Sequence, residues 1–436
     1  MKTTIRQTLA MMCEEKLYSA MYIAGTALAI AFVMLIAEVY YVKMADIAPE
    51  VNRSKTYYLD AWGMKDAEDG NFYVGKSIRH EEYCNLFQKL QTPTCITSMM
   101  IGIWDPNKKI DVKMPDGIHD KAVKPKLTDH SFFSMYQFRF VEGAPFSQDD
   151  FENGRLMVVI TEELAEQLYG KEVKAVGQTL RLCHADYRIC GVVETPSALT
   201  EVCAADIWIP YTATGLTEEL SGEHFDRMPL ALMFCVPTSK REEFIKEMKD
   251  LEARYNAVNK EEQVSVMVYL TSHYDHIWRG ISSAFNAWND SLLWFLVAAV
   301  LLLLLVPALN LSGMVASRME RRLSEMAIRK AFGAKRRTLL GQVIMENLIL
   351  TLMGGVVGLC LAWMALYAWR DWVFYVFSGN LNLYDCVPII RGEMLFGPFI
   401  FLISLVVCGV LNVLAATLPA WISLKKPIVE SMGLKK

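Results

Sequence analysis

Four long apolar stretches punctuate the chain, at residues 18–42, 290–316, 338–369 and 396–422. Each is long enough for a bilayer, which takes about 20 mostly apolar residues as a helix. The first is uncharged from Leu17 to Ala37, the second holds VAAVLLLLLVPALNL, and the third is broken only by Glu346. Between the first two, residues 43–289 change character. Alternating or short apolar runs predict strands at Thr56–Trp62, Ile96–Trp104, Leu156–Ile160, Tyr187–Val193, Asp206–Tyr211, Ala231–Val236 and Val264–Leu270. Helical spacing predicts helices at Ser77–Leu90, Thr161–Tyr169 and Ser239–Asn256, with Thr161 opening the second. Leu180–Cys183 and Tyr187–Val193 read as a hairpin. The first apolar run is too long for the 7–15-residue core typical of a cleaved signal and continues into Val39-Tyr40-Tyr41, so a retained anchor is expected.

Charge gives these spans a direction. Eight Lys or Arg residues lie between Arg318 and Arg337 against Glu320 and Glu325. Lys2, Arg6 and Lys16 precede the first span, and Lys425, Lys426, Lys435 and Lys436 follow the last. Basic residues next to spans mark the cytoplasmic side. Residues 1–17, 317–337 and 423–436 are therefore expected inside, as N-terminal arm, coupling segment and tail, while 43–289 and the loop 370–395 lie outside. The fold class that follows is an α-helical membrane protein with four transmembrane helices. A large mixed α+β extracytoplasmic domain, in two lobes, is inserted between helices 1 and 2.

Composition agrees: 53% hydrophobic residues and a mean hydropathy of +0.22 are high for a soluble chain and low for one wholly in the membrane. The net charge of −4 and the lack of a basic tract interleaved with aromatics exclude nucleic acid as a partner. Beside a membrane, the basic segment suits anionic lipid or a protein partner.

Candidate chemistry is sparse. Gly70–Ser77 fits the spacing of a phosphate-binding loop, but charged Lys65–Asp69 stands where a buried strand is required, so the match reads as chance. His273, Asp275 and His276, or Cys183, His184 and Cys190, lack the full set and spacing of a zinc site and read as exposed or interface residues. No Ser-His-Asp or paired-carboxylate arrangement emerges, so no catalytic, metal or cofactor residues are assigned. Seven of the ten cysteines fall outside, an odd number whose pairing is not legible. Within the spans, Glu346 is costly unless paired or near the interface, and about 14 Å of helix separates it from Arg337. Gly354 with Gly358, and Ala27 with Ala31, form small-residue faces suited to helix packing.

Several runs carry a family resemblance. EMAIRKAFGA (Glu325–Ala334), followed by KRRTLLGQVIMENLIL, resembles the signature of FtsX-like permeases of the MacB type, as does LPAWISLKKPIVESM (Leu418–Met432). FFSMYQFRFVEGAPF (Phe132–Phe146), VVITEELAEQLYG (Val158–Gly170), VGQTLRL and YRICGVVE resemble the MacB-like periplasmic core in the same order. The resemblance implies a non-catalytic permease subunit of an ABC transporter in the bacterial inner membrane. It implies a separate cytoplasmic ATPase, a homodimer or a heterodimer with a related permease, and a periplasmic adaptor as a further possible partner. It also implies that Met319–Phe332 docks on that ATPase, with Glu325, Ile328, Arg329, Lys330 and Phe332 at the matching positions and Gly333 as the helix stop. The alternative is a membrane-anchored extracytoplasmic sensor, for which this chain shows no cytoplasmic output module. Drug or peptide export, lipoprotein extraction and activation of cell-wall enzymes all remain open as substrates of the mechanism.

Overall fold

The computed structural model describes residues 16–425 apart from 60, 67–71, 101–109, 115–118, 183–184, 198–199, 214–227, 259–263, most of 285–330, and 379–397. Two compact units emerge, residues 42–285 making up most of one and the flanking helices the other.

In the helical unit, α1 (Lys16–Met44) is one uninterrupted helix. Two further helices, α5 (Arg336–Ser378) and α6 (Pro398–Lys425), cover the third and fourth apolar stretches. Ser19–Met44 and Arg337–Ala368 are long and apolar enough to cross a membrane, and Phe401–Ala415 is a shorter apolar run. The expected second span falls almost wholly outside the described residues, as does most of the 370–395 loop. Helix α5 continues past residue 370 to Ser378, because nothing breaks it before Gly379.

The other unit carries fifteen strands among the described residues. They are β1 (Thr56–Leu59), β2 (Trp62–Asp66), β3 (Phe72–Lys76), β4 (Cys95–Met100), β5 (Ile110–Lys113), β6 (Asp120–Val123), β7 (Pro125–Thr128) and β8 (Phe140–Gly143). They continue with β9 (Met157–Thr161), β10 (Thr179–Leu182), β11 (Ala185–Val193), β12 (Ile207–Pro210), β13 (Leu230–Cys235), β14 (Val264–Val268) and β15 (Thr271–Ser272). The helices of eight or more residues among the described ones are α2 (Glu162–Tyr169), α3 (Arg241–Val258) and α4 (His273–Ala284). Twelve strands form one mixed sheet in the order β15-β1-β13-β4-β7-β12-β9-β11-β10-β5-β6, with β8 also paired to β11. The remaining three form a second sheet, β14-β2-β3. Where the sequence suggested two lobes, the structure has two sheets within one compact unit.

Side chains alternate across a strand, so a sheet covered on both faces reads as a continuous apolar run. Strand β13 is buried throughout. Its Leu230, Leu232 and Phe234 join one core and Ala231, Met233 and Cys235 the other. The same division separates Val158 and Ile160 from Val159, and Ile207 and Ile209 from Trp208. The second core explains the FFSMYQFRF motif. Phe132, Phe133, Phe138 and Trp208 pack as one aromatic cluster, with Phe132 and Tyr136 ring centroids 4.7 Å apart and Phe138 edge-on to Trp208 at 5.1 Å.

Two expectations need correcting. Thr56–Trp62 is not one strand: the chain leaves β1 and enters β2 in the other sheet. Ser77–Leu90 holds only a short α-helical turn at His80–Glu82 and a π turn at Tyr83–Phe87, the wider turn keeping Tyr83 and Phe87 in the core. Around the phosphate-loop lookalike, Phe72–Lys76 is a strand antiparallel to β2, with Lys76 opposite Trp62. A strand-paired Lys cannot cradle a phosphate as a loop before a helix does.

Candidate functional site

Among the expected membrane residues, the small faces meet. Ala27 and Ala31 are buried, and Gly354 and Gly358 of α5 lie against α1. A Cβ on Gly358 would sit 2.7 Å from the Ala27 carbonyl oxygen, and one on Gly354 would sit 2.8 Å from Thr26 Cβ. Small residues are what permit backbones to approach so closely. Polar contacts flank this seam: Tyr22 Oη lies 3.4 Å from Thr351 Oγ1, and Asn412 donates to Thr351 Oγ1 at 3.2 Å.

The expected coupling segment is described in part. Glu325 and Lys330 fall outside the described residues. Arg329 donates to Gln342 Oε1 at 3.0 Å, and Gln342 donates to Glu346 Oε1 at 3.2 Å. A relay of one amide thus joins the basic segment to buried Glu346. Phe332 donates its N–H to the Ile328 carbonyl, and Ala334 reaches back to the Arg329 carbonyl at 3.0 Å. Gly333 lies between at φ +89°, so a left-handed glycine ends this turn and frees the chain to start α5. Ile328 and Phe332 are four residues apart, on one helix face, and Phe332 is 89% exposed.

A second constellation was not legible in sequence. It lies where α1 ends. Lys43, Glu50, Arg53 and His273 are all at most 6% exposed. Arg53 donates to Glu50 Oε2 at 2.7 Å, to the Val42 carbonyl at 2.5 Å and to the Ala45 carbonyl at 3.0 Å. The Val42 carbonyl belongs to the last turn of α1, whose end groups need outside partners. Glu50 also accepts from the Cys203 N–H at 3.0 Å. Lys43 pairs with Glu201, and Lys126 donates to the Glu201 carbonyl at 2.6 Å. His273, at the start of α4, has its Nε2 2.9 Å from the Lys43 carbonyl and its Nδ1 3.0 Å from Tyr58 Oη. A carbonyl only accepts, so Nε2 carries the proton and Nδ1 accepts from Tyr58. His276 stacks on Tyr58 at 4.4 Å. His273 is thus a buried connector, and not the exposed or interface residue expected. The segment leaving the first span and the segment leading toward the second expected span are joined here. The available signal was the Glu50/Arg53 pair, i and i+3, just beyond a span.

Electrostatics give this joint a pH dependence. Burial works to raise the Glu50 carboxyl, but the charge and hydrogen bond of Arg53 outweigh it and hold the group below its usual range. Burial lowers His273. A group depressed in the fold takes up its proton more readily in the unfolded chain, so acid removes stability. For His273 the loss begins as pH falls below about 6.5, and for Glu50 below about 4.5. Hydrogen-exchange protection of β1 and β13 in the intact chain, taken relative to the intrinsic exchange rate at each pH, is expected to fall between pH 7 and 5. His273→Gln is expected to flatten that limb; an unchanged profile would remove His273 as its source.

Elsewhere, Cys84 Sγ lies 3.5 Å from His80 Nε2. Burial, then the charges of Asp129 and Glu152, raise this thiol, the opposite of an activated nucleophile. Cys183 and His184 lie outside the described residues, and no group of three or more potential metal ligands occurs among the described ones.

Comparison with known proteins gives the family: residues 19–251 match the MacB-like periplasmic core domain and residues 297–428 the FtsX-like permease C-terminal domain. The chain belongs to this family of ABC transporter permeases. It is 26% identical over 232 residues to the macrolide export ATP-binding/permease protein MacB of Chromobacterium violaceum, covering 53% of this chain and 33% of that protein. It is 22% identical to MacB of Pasteurella multocida, covering 67% of this chain and 43% of that one. This chain thus spans well under half the length of either relative. Among solved structures, the periplasmic region of MacB from Actinobacillus actinomycetemcomitans aligns with TM-score 0.36 and 10% identity, over 53% of this chain and 94% of that one. The extracellular domain of the ABC-type transporter YknZ from Gram-positive bacteria aligns with TM-score 0.33 and 11% identity, over 49% and 99%.

Proposed function

We propose that this chain is the permease subunit that converts ATP-driven movement of a separate cytoplasmic ATPase into movement of its extracytoplasmic domain, for export or extraction of a substrate. The observation that carries this reading is α1, one unbroken helix whose last turn is gripped by buried Arg53. A hydrogen-bonded helix is stiff along its axis, so displacement at one end reaches the other. Both termini and residues 317–337 lie in the cytoplasm, and residues 43–289 lie outside. Met319–Phe332 docks on the ATPase through Glu325, Ile328, Arg329, Lys330 and Phe332, the exposed Phe332 entering an apolar pocket of the partner. Glu346 steadies this element through Gln342. The permease acts as a dimer of like or related subunits.

The test is co-purification of the full chain with a cytoplasmic ABC ATPase and measurement of ATP hydrolysis by the complex. Charge reversal at both Arg329 and Lys330 is expected to abolish stimulation of the ATPase by the permease while hydrogen exchange of the outer strands stays unchanged. Full stimulation in that variant would sink the docking assignment. Absence of any ATPase in the purified complex would favour a sensor.

A further inference from the structure

Strands β4 and β13 are antiparallel neighbours, and their register sets Cys95 directly opposite Cys235. Both side chains face the same core, Cys235 buried within it and Cys95 packed against it. Residues directly opposite in an antiparallel pair have Cα atoms about 4.5–5.5 Å apart. A disulfide needs about 4.4–6.8 Å between Cα atoms, a spacing that this register supplies. Both are free thiols in this structure. The alternation that buries β13 on both faces therefore also brings together two residues 140 positions apart in sequence.

We infer that Cys95 and Cys235 form a cross-strand disulfide, made outside the cytoplasm by exchange with an oxidant of the protein-disulfide class. The thiolate of one cysteine attacks the oxidant's disulfide, and one oxidant sulfur leaves as a thiolate. The second cysteine, losing its proton, then displaces the mixed disulfide. Two protons leave the chain, and two electrons reduce the oxidant to a dithiol. Burial raises Cys95 to about 11, so exchange with the folded domain is slow and the bond forms while β4 and β13 are pairing.

Position gives this bond a role. Cys235 also pairs across β1 with Thr56, and Val236 donates its N–H to the Lys55 carbonyl, two residues from Arg53. The row Thr56, Cys235, Cys95 thus runs from the edge of the buried joint into the sheet. A covalent tie here fixes β13 to β4 beside the strand that receives the end of α1. None of the other free cysteines identified stands opposite a second cysteine in a described strand pair.

This inference rests on the outward placement of residues 43–289, so its test separates the two. The full chain is purified from membranes with free thiols blocked at lysis, digested without reduction and mapped by mass spectrometry. A linked Cys95–Cys235 peptide is expected, lost on reduction and absent from Cys95→Ser, in which Cys235 becomes alkylatable. A second sample is unfolded with reductant, then refolded in detergent with oxidised glutathione. Linkage only in this second sample supports the pair and counts against the outward placement. Both thiols fully alkylatable in both samples, with the outer strands protected from hydrogen exchange, overturns the pair.

Discussion

Arg53→Ala is expected to destabilise the outer unit by about 3–5 kcal/mol, the usual cost of removing one partner of a buried ion pair. Arg53 satisfies three acceptors at once: Glu50 and the carbonyls of Val42 and Ala45. Without it, the Glu50 carboxylate stays buried, with the Cys203 N–H still donating to it. Much of the loss should come from that stranded charge. Adding Glu50→Gln to an Arg53→Met background is therefore expected to recover a large part of it, because a neutral amide still accepts from Cys203. Hydrogen exchange of β1 and β13 in the full chain measures both. Equal destabilisation by the single and double variants would show that the helix-end carbonyls, and not the ion pair, dominate.

This joint shows why some of the site escaped the sequence. Lys43, Glu50, Arg53, Glu201 and His273 are charged or polar and widely scattered, and such residues normally read as a solvated surface. Only the pairing of β1 with β13 and β15 brings Tyr58 and His273 to the end of α1. The apolar stretches were legible because a membrane helix writes its whole length as one unbroken run. The central strands β9, β12 and β13 were legible for a related reason, being buried on both faces, and β11 because its apolar positions alternate with exposed Asp186 and Arg188. Strands β5 and β6 were not, since four-residue segments such as IDVK and DKAV carry charges outward and offer too few positions to establish a period. Helix α2 was placed within a residue because Thr161 caps it, accepting from the Leu164 N–H at 3.3 Å.

Gly358→Leu tests the other part of the mechanism, the seam between α1 and α5. A helix in lipid gains little from hiding apolar surface, so association depends on close packing. At Gly358 that closeness is set by backbone: the new Cβ would meet the Ala27 carbonyl oxygen at 2.7 Å and Ala27 Cα at 3.2 Å, with Ile30 Cβ at 3.1 Å. Side chains can rotate away from an intruder, but a helix backbone cannot, so the two helices must separate. Overpacking costs about 1–3 kcal/mol, and the upper end is expected here. Separation would also stretch the Tyr22–Thr351 contact two turns away on the same seam. The matching control is Gly341→Leu, on the same helix, where a Cβ meets nothing within 4 Å. Cysteine cross-linking between α1 and α5 in native membranes is expected to fall sharply for Gly358→Leu and hold for Gly341→Leu. If α1 carries movement from the ATPase, the Gly358 variant also loses coupling while its outer strands keep their exchange protection. Retained coupling with the seam open would mean that α1 moves independently of α5, and force would then have to enter the outer domain by another route.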